Sequence, residues 1–369
     1  MRPFTREDLR VLLSAHDAPC LTLYMPRGAG GPAEHSLRFR RLLKDAERTG
    51  DRFDRTALRQ VVAKVADLDT PDFWNDLRTT LAVFASPDFL ETFRLGEPVA
   101  EATLVADTFL TKPLVKYLQG DVRYYLLTAT RENVTLWEGG RESLDVVRVP
   151  EMPRGLRDLE TARQKEATLG ARQAGFGASV FYGGGGTDGK SDLRQLFRAV
   201  DRALMKVTHD ERTPLILATF EQYHALFHEV SKNPALLDEG IHGDPEQTSL
   251  DQLRSRALAL LAPRREAALR ALKDEYAIAL NHKRATNYLP NIAAAAIQGR
   301  VKTLLIEDGK PMPGVLDRAT GAVRKEDAPG AGDLLDDVGE LVLGAGGDVF
   351  VLPRAMMPTD VGVAAIYRY

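Results

Sequence analysis

No apolar run in this chain is longer than a β-strand, and that fact limits its fold more than any other. The hydrophobic stretches Leu21 to Met25, Thr80 to Ser86, Leu215 to Thr219, Val301 to Ile306 and Asp348 to Leu352 are short and bounded by Pro, Gly or charged residues. None approaches the ~18 residues that a membrane-spanning helix needs. Between them lie segments whose apolar residues recur with helical period, such as Phe39, Leu42, Leu43 and Ala46. Strands alternating with amphipathic helices argue a soluble α/β (mixed α+β) protein.

With 369 residues the chain exceeds one ordinary core, since domains usually run ~100–200 residues. Three segments separate by pattern. Residues 1–112 read as an N-terminal α/β domain. Within it, helices are expected over Arg6 to Ser14, Ser36 to Arg48 and Arg55 to Ala66, with extended runs at Thr80 to Ser86 and Glu101 to Phe109. The Lys112-Pro113 pair reads as a break and a boundary.

Residues 113–265 open with a hairpin, Val122 to Ala129 and Asn133 to Glu138. A long polar stretch, 150–190, follows; connections of this length inside a domain are commonly functional. Then come an amphipathic helix, the strand Leu215 to Thr219 and the helix Glu221 to Ser231. Residues 266–369 carry helices at Glu266 to Leu280, Leu289 to Gln298 and Gly332 to Leu343, and strands at Val301 to Ile306, Asp348 to Leu352 and Gly362 to Tyr369. That order argues an α/β/α sandwich.

Composition removes several function classes. The single cysteine, Cys20, can form no internal disulfide, and its apolar setting reads as a small core residue. The charged N-terminus, MRPFTREDLR, lacks the apolar stretch of a signal peptide, so the expected location is cytoplasmic. The formal net charge of −3 excludes a general polyanion binder and leaves only local basic faces for nucleic acid.

The sharpest of those faces lies on the helix after residue 190. Leu193, Leu196, Phe197, Val200 and Leu204 form its apolar stripe. Arg194, Arg198, Arg202 and Lys206 recur every four residues, after Lys190 and a glycine run, Gly183, Gly184, Gly185 and Gly186. Cations beside a glycine-rich tip fit a phosphate backbone. The competing reading is a solvated helix face with Asp192 and Asp201 as partners. Residues 251–286 hold eight Lys or Arg against four acids. That surplus, like the basic helix with Arg38, Arg40, Arg41, Lys44 and Arg48, fits RNA contact or plain helix solubility.

An alternative enzyme reading rests on Gly184 to Ser191, which satisfies the G-x4-G-K-[ST] pattern of a phosphate-binding loop. The acidic run Glu307-Asp308 after Leu304-Leu305-Ile306 would then imitate a Mg²⁺-holding strand. The three-residue run Val180 to Tyr182 is short for a central nucleotide-binding strand. His224 and His228 stand at i, i+4, a metal-chelating spacing, but without HExxH they read as two surface histidines. No metal and no cofactor are expected.

Several stretches in order resemble the bacterial branch of the archaeo-eukaryotic peptide-chain release factor family, relatives of Pelota. They are Leu21-Thr22-Leu23-Tyr24-Met25-Pro26, the helix 192–202, Gly299-Arg300-Val301-Lys302-Thr303-Leu304-Leu305-Ile306, Asp333-Leu334-Leu335-Asp336, Gly346-Gly347-Asp348-Val349-Phe350-Val351-Leu352-Pro353 and Ala364 to Tyr369. The resemblance implies an RNase H-like middle domain and a C-terminal domain of the Pelota and kink-turn-binding ribosomal-protein type. It also implies a tRNA mimic that meets the ribosome and rRNA in termination, rescue or quality control, with no membrane or DNA partner. Catalytic members carry a Gly-Gly-Gln tip that works as a peptidyl-tRNA hydrolase. Here no glutamine follows Gly183 to Gly186, and Gln173 in the same stretch lacks the glycine pair. The catalytic role therefore transfers to no residue.

Overall fold

The computed structural model describes residues 2–14, 18–75, 77, 79–120, 122–141, 143–161, 189–208, 213–326 and 331–369. They divide into two compact units, Met1–Gly120 with Glu266–Tyr369, and Asp121–Arg265. The first and third segments of the sequence thus share one unit.

The N-terminal part of that unit is a five-stranded sheet. Its strands are β1 (Arg2–Pro3), β2 (Cys20–Pro26), β3 (Thr80–Ser86), β4 (Phe89–Leu95) and β5 (Ala102–Ala106), in the order β1-β4-β3-β2-β5. All neighbours are antiparallel except β1 with β4. The helices are α1 (Arg6–Leu12), α2 (Pro32–Thr49), α3 (Arg55–Ala66), α4 (Pro71–Asn75) and α5 (Lys112–Gln119). Period-two alternation decides which residue faces which layer. Leu21, Leu23 and Met25 pack on α2, α3 and α4, whereas Cys20 and Tyr24 face the opposite core with Phe84 and Phe93.

The middle unit holds β6 (Tyr124–Ala129), β7 (Val134–Gly139), β8 (Leu144–Val147), α6 (Gly189–Leu204), β9 (Leu215–Thr219), α7 (Glu221–Val230), β10 (Ile241–His242) and the first half of α8 (Leu250–Asn281). The sheet order is β10-β9-β6-β7-β8. Strands β10, β9 and β6 are parallel, and β6, β7 and β8 form an antiparallel meander. Helices α6 and α7 cover one face; Leu253, Ala257 and Leu261 of α8 cover the other.

The C-terminal part comprises β11 (Ala285–Thr286), α9 (Leu289–Ile297), β12 (Val301–Glu307), β13 (Pro313–Leu316), β14 (Val323–Lys325), β15 (Gly332–Asp333), α10 (Leu334–Gly344), β16 (Asp348–Leu352) and β17 (Val363–Tyr367). Its main sheet runs β11-β17-β12-β16, beside a small sheet β14-β13-β15. Helices α9 and α10 pack on one face of the main sheet, and Tyr276 and Ala279 of α8 pack on the other. This is the three-layer sandwich that the helix–strand alternation predicts. No helix among the described residues is long and apolar enough to cross a membrane.

Two readings of proline need correction. Lys112-Pro113 is no break: Pro113 lies in the first turn of α5, where its missing N–H would have no partner anyway. The helix expected from Glu266 begins at Leu250 and continues through Pro263. A proline inside a helix removes one backbone bond, and the apolar contacts of Leu253, Ala257 and Leu261 hold the turns before it.

Helix α5 is capped from far along the chain. Thr111 makes no side-chain cap of its own. Instead, Asp336 on α10, fully buried, accepts the amide of Thr111 at 2.9 Å, the Thr111 hydroxyl at 3.1 Å and the Lys112 amide. Orphan N–H groups at a helix start need an acceptor, and a carboxylate suits the positive end of the helix. Three more acids flank it. Asp333 pairs with Lys112 and caps α10 through the Leu335 amide at 3.1 Å. Asp337 accepts the Thr108 hydroxyl at 3.2 Å, and Glu340 pairs with Arg318. Burial lifts Glu340 to about 7 and Asp337 to about 6, further than Arg318 lowers them.

Replacing Asp336 with Ala should lower the unfolding free energy by about 2 kcal/mol, read by urea denaturation, because buried amides lose their acceptor. A pH effect follows from Glu340 and Asp337. Unfolded carboxyls titrate near ~4, so the folded state holds extra protons between about pH 4 and 7. Stability from these groups is present at low pH and lost as pH rises through their folded values. Glu340→Gln should therefore gain melting temperature over wild type at pH 8, with the gain shrinking at pH 5.

Candidate functional site

The apolar stripe of α6 fixes its orientation. Leu193, Leu196, Phe197, Val200 and Leu204 are buried, and the Phe197 ring meets Phe227 of α7 edge-on at 5.2 Å. That burial turns the opposite face to solvent. Lys190, Arg198 and Arg202 lie there, exposed and without an ion pair among the described residues.

The other two cations of the series are engaged in the fold. Arg194 pairs with Glu229 of α7 at 3.1 Å. Lys206 lies just beyond the helix and pairs with Glu151, whose carboxyl it holds below the usual range. Asp201 is no partner for the arginines. It is buried and accepts the Ser231 hydroxyl at 2.5 Å and the Lys232 amide at 2.9 Å, which ties α6 to the end of α7. Gly183, Gly184, Gly185 and Gly186 lie outside the described residues, as does Gln173.

The structure adds a cation that sequence order hides. A side chain built on Gly189 would meet the Arg131 guanidinium at 3.0 Å, so Arg131 stands at the start of α6 beside Lys190. Arg131 occupies the β6–β7 turn. The Thr130 hydroxyl accepts the Asn133 amide at 2.9 Å, and Glu246 accepts from both the Thr130 hydroxyl and the Asn133 side-chain amide. The carbonyl of Arg131 accepts the Leu156 amide at 2.9 Å, which brings the exposed Arg154 and Arg157 alongside. The only sequence signal was the hairpin turn itself; its tie to residues 154–156 is tertiary.

Other sequence candidates dissolve. His224 is buried, not a surface residue. Its Nε2 lies 3.3 Å from the Ile241 carbonyl, its ring is 4.0 Å from that of His242, and burial lowers its pKa. No group of three metal-ligating side chains occurs among the described residues. The acidic run after β12 is spent: Glu307 is buried against Lys310 and Arg354, and Asp308 pairs with Lys116 at 2.6 Å. On α2, Arg38 and Arg41 both bind Glu101, Arg40 binds Asp69 and Arg48 lies 3.5 Å from Asp45. That helix keeps little free positive charge.

Residues 123–300, which contain α6 and its cations, match the family model of bacterial archaeo-eukaryotic release factor family 3. That segment of the chain is similar to the bacterial archaeo-eukaryotic release factors. A comparison with curated proteins finds no match. Among solved structures, the archaeal translation termination factor aRF1 is 17% identical over 99% of this chain and 98% of its own, with a TM-score of 0.24. Dom34 of S. cerevisiae, a translation termination-like factor, is 12% identical over 100% and 92%, with a TM-score of 0.38. Archaeal Pelota, in a model of ribosome-bound Pelota and ABCE1, is 13% identical over 100% and 95%, with a TM-score of 0.40. At such scores these likenesses carry no argument about this protein's site.

The contrast between spent and free charges is testable on stability. Arg198→Glu with Arg202→Glu should leave the melting temperature of this protein unchanged within ~2 °C, because exposed charges contribute little. Asp201→Ala should cost about 1–3 kcal/mol in urea, because it strips the Lys232 amide of its acceptor.

Proposed function

We propose that this protein acts on the ribosome as a release-factor-like tRNA mimic, in termination, rescue or quality control. The observation that carries the reading is the family match over the segment that contains α6. Lys190, Arg198 and Arg202, without an ion pair among the described residues, and Arg131 at the helix start support it physically. Cations free of internal partners can displace the counterions of rRNA phosphates, and that release drives binding. Paired ones, such as Arg194 and Lys206, would first have to break an existing bond.

On this reading the segment 113–265 is the RNase H-like middle domain, between an N-terminal domain, 1–112, and a Pelota-type C-terminal domain, 266–369. The place of action is the cytoplasm. The sequence contains no Gly-Gly-Gln, so peptidyl-tRNA hydrolysis is assigned to no residue and ribosome occupancy is the primary activity.

Co-sedimentation with ribosomes tests this. The wild type should pellet with ribosomes at low salt and dissociate as salt rises, with a slope of roughly −0.7 to −0.9 per phosphate contacted. Arg198→Glu with Arg202→Glu should cut occupancy roughly tenfold or more and flatten that slope. A wild type absent from the ribosomal fraction at low salt would sink the proposal, and so would occupancy untouched by the double charge reversal.

A further inference from the structure

One end of the C-terminal sheet gathers positive charge across three adjacent strands. The Tyr367 amide donates to the Arg284 carbonyl at 2.8 Å, and the Arg368 amide donates to the Arg300 carbonyl at 2.9 Å. Arg284 therefore stands opposite Tyr367, and Arg300 beside Arg368, at the ends of β11, β17 and β12. Neighbouring strands lie about 4.8 Å apart, so long side chains from the three can reach adjacent phosphates of one strand. Lys283 precedes Arg284. Lys302, further along β12, is already bound to Glu275 at 2.7 Å. Lys283, Arg284, Arg300 and Arg368 have no ion pair among the described residues. The acid Asp348 sits on the strand beyond β12, opposite Thr303 and so offset from this cluster.

The cluster is positioned by more than exposure. The Arg368 guanidinium donates to the carbonyls of Val301 and Ala345, at 3.3 and 3.0 Å, which orders it without cancelling its charge. The Arg300 guanidinium lies over the Tyr367 ring at 5.4 Å and over the Tyr369 ring at 5.9 Å. Tyr369 is 74% exposed, which leaves most of its ring open. Lys283 adopts φ 56°, a left-handed conformation, at the end of α8, with the Arg284 amide returning to the Ala279 carbonyl at 2.8 Å. Glycine is the relaxed residue at such a helix end. A lysine there keeps a cation beside Arg284 at a conformational cost.

Ordered cations next to an open aromatic face are what a single nucleic-acid strand requires: phosphates meet the charges and a base stacks on the ring. An acidic peptide would match the charges but leave Tyr369 without a role. We infer that this sheet end binds single-stranded RNA, with phosphates on Lys283, Arg284, Arg300 and Arg368 and one base on Tyr369. It uses none of the residues of α6, so it stands or falls separately from the ribosomal role of that helix.

The test is fluorescence anisotropy of the full chain with a fluorescein-labelled uridine oligonucleotide. Wild type should bind at low salt. Lys283→Glu with Arg284→Glu should weaken binding roughly tenfold or more and reduce the salt slope by about 0.7 for each phosphate no longer held. Tyr369→Ala should weaken it roughly fivefold or more by removing the stacking ring. Arg59→Glu, an exposed charge on α3, should bind the oligonucleotide as wild type does, whereas a loss confined to Arg198→Glu with Arg202→Glu would place the oligonucleotide on α6. Lys283→Gly keeps fold and binding apart: its melting temperature should hold or rise while affinity falls. The inference is overturned by a wild type that ignores the oligonucleotide. It is equally overturned if binding survives both Lys283→Glu with Arg284→Glu and Tyr369→Ala, or disappears only in the α6 variant.

Discussion

The carboxylate of Asp336 governs how the two ends of this chain come together. It takes the place of a local cap on α5, accepting the first amides of a helix more than two hundred residues earlier in the chain. Burial pushes the Asp336 carboxyl well above the usual range, and the amides it accepts, with Lys112 and Arg318 beside its acidic neighbours, offset the cost of burying this turn of α10. Around this polar centre lies a continuous apolar core. It runs from Phe4 and Tyr24 through Leu114 of α5 to Leu304 and Val338. The polar contacts set orientation, and the apolar area around them supplies most of the stabilisation.

A second organising principle is the division of cations into those the fold consumes and those it leaves. Arg38, Arg40 and Arg41 are drawn onto Glu101 and Asp69, and Arg194 and Lys206 onto Glu229 and Glu151. Lys190, Arg198 and Arg202 on α6, and the arginine cluster at the end of the C-terminal sheet, keep their charge available. A net charge of −3 conceals both outcomes. Local charge, not total charge, decides where a polyanion can settle.

Much of the architecture is legible in the residues. The stripe Leu193-Leu196-Phe197-Val200 placed α6 because a 3.6-residue period has one stable solution beside a sheet. The run Asp348 to Leu352 agrees with β16 residue for residue. The errors arise where long-range context overrides a local rule. Pro113 looked like a stop and is a helix start; Pro263 sits inside a helix whose earlier turns are held by packing; His224 looked exposed and is buried. The small strands β13 and β14 left no signal, being too short for periodicity to register.

What the sequence determined by itself is the alternation of strands and amphipathic helices, the absence of a Gly-Gly-Gln tip and the family signature over residues 123–300. These are local or order-dependent properties, written in spacing along the chain. Tertiary structure alone decided that Asp336 caps α5, that Arg131 joins the start of α6, and that Arg284, Arg368 and Arg300 gather at one end of the C-terminal sheet. Each depends on residues far apart in the chain meeting in space, and the partner that neutralises a charge, or fails to, is chosen by folding and not by neighbours in sequence.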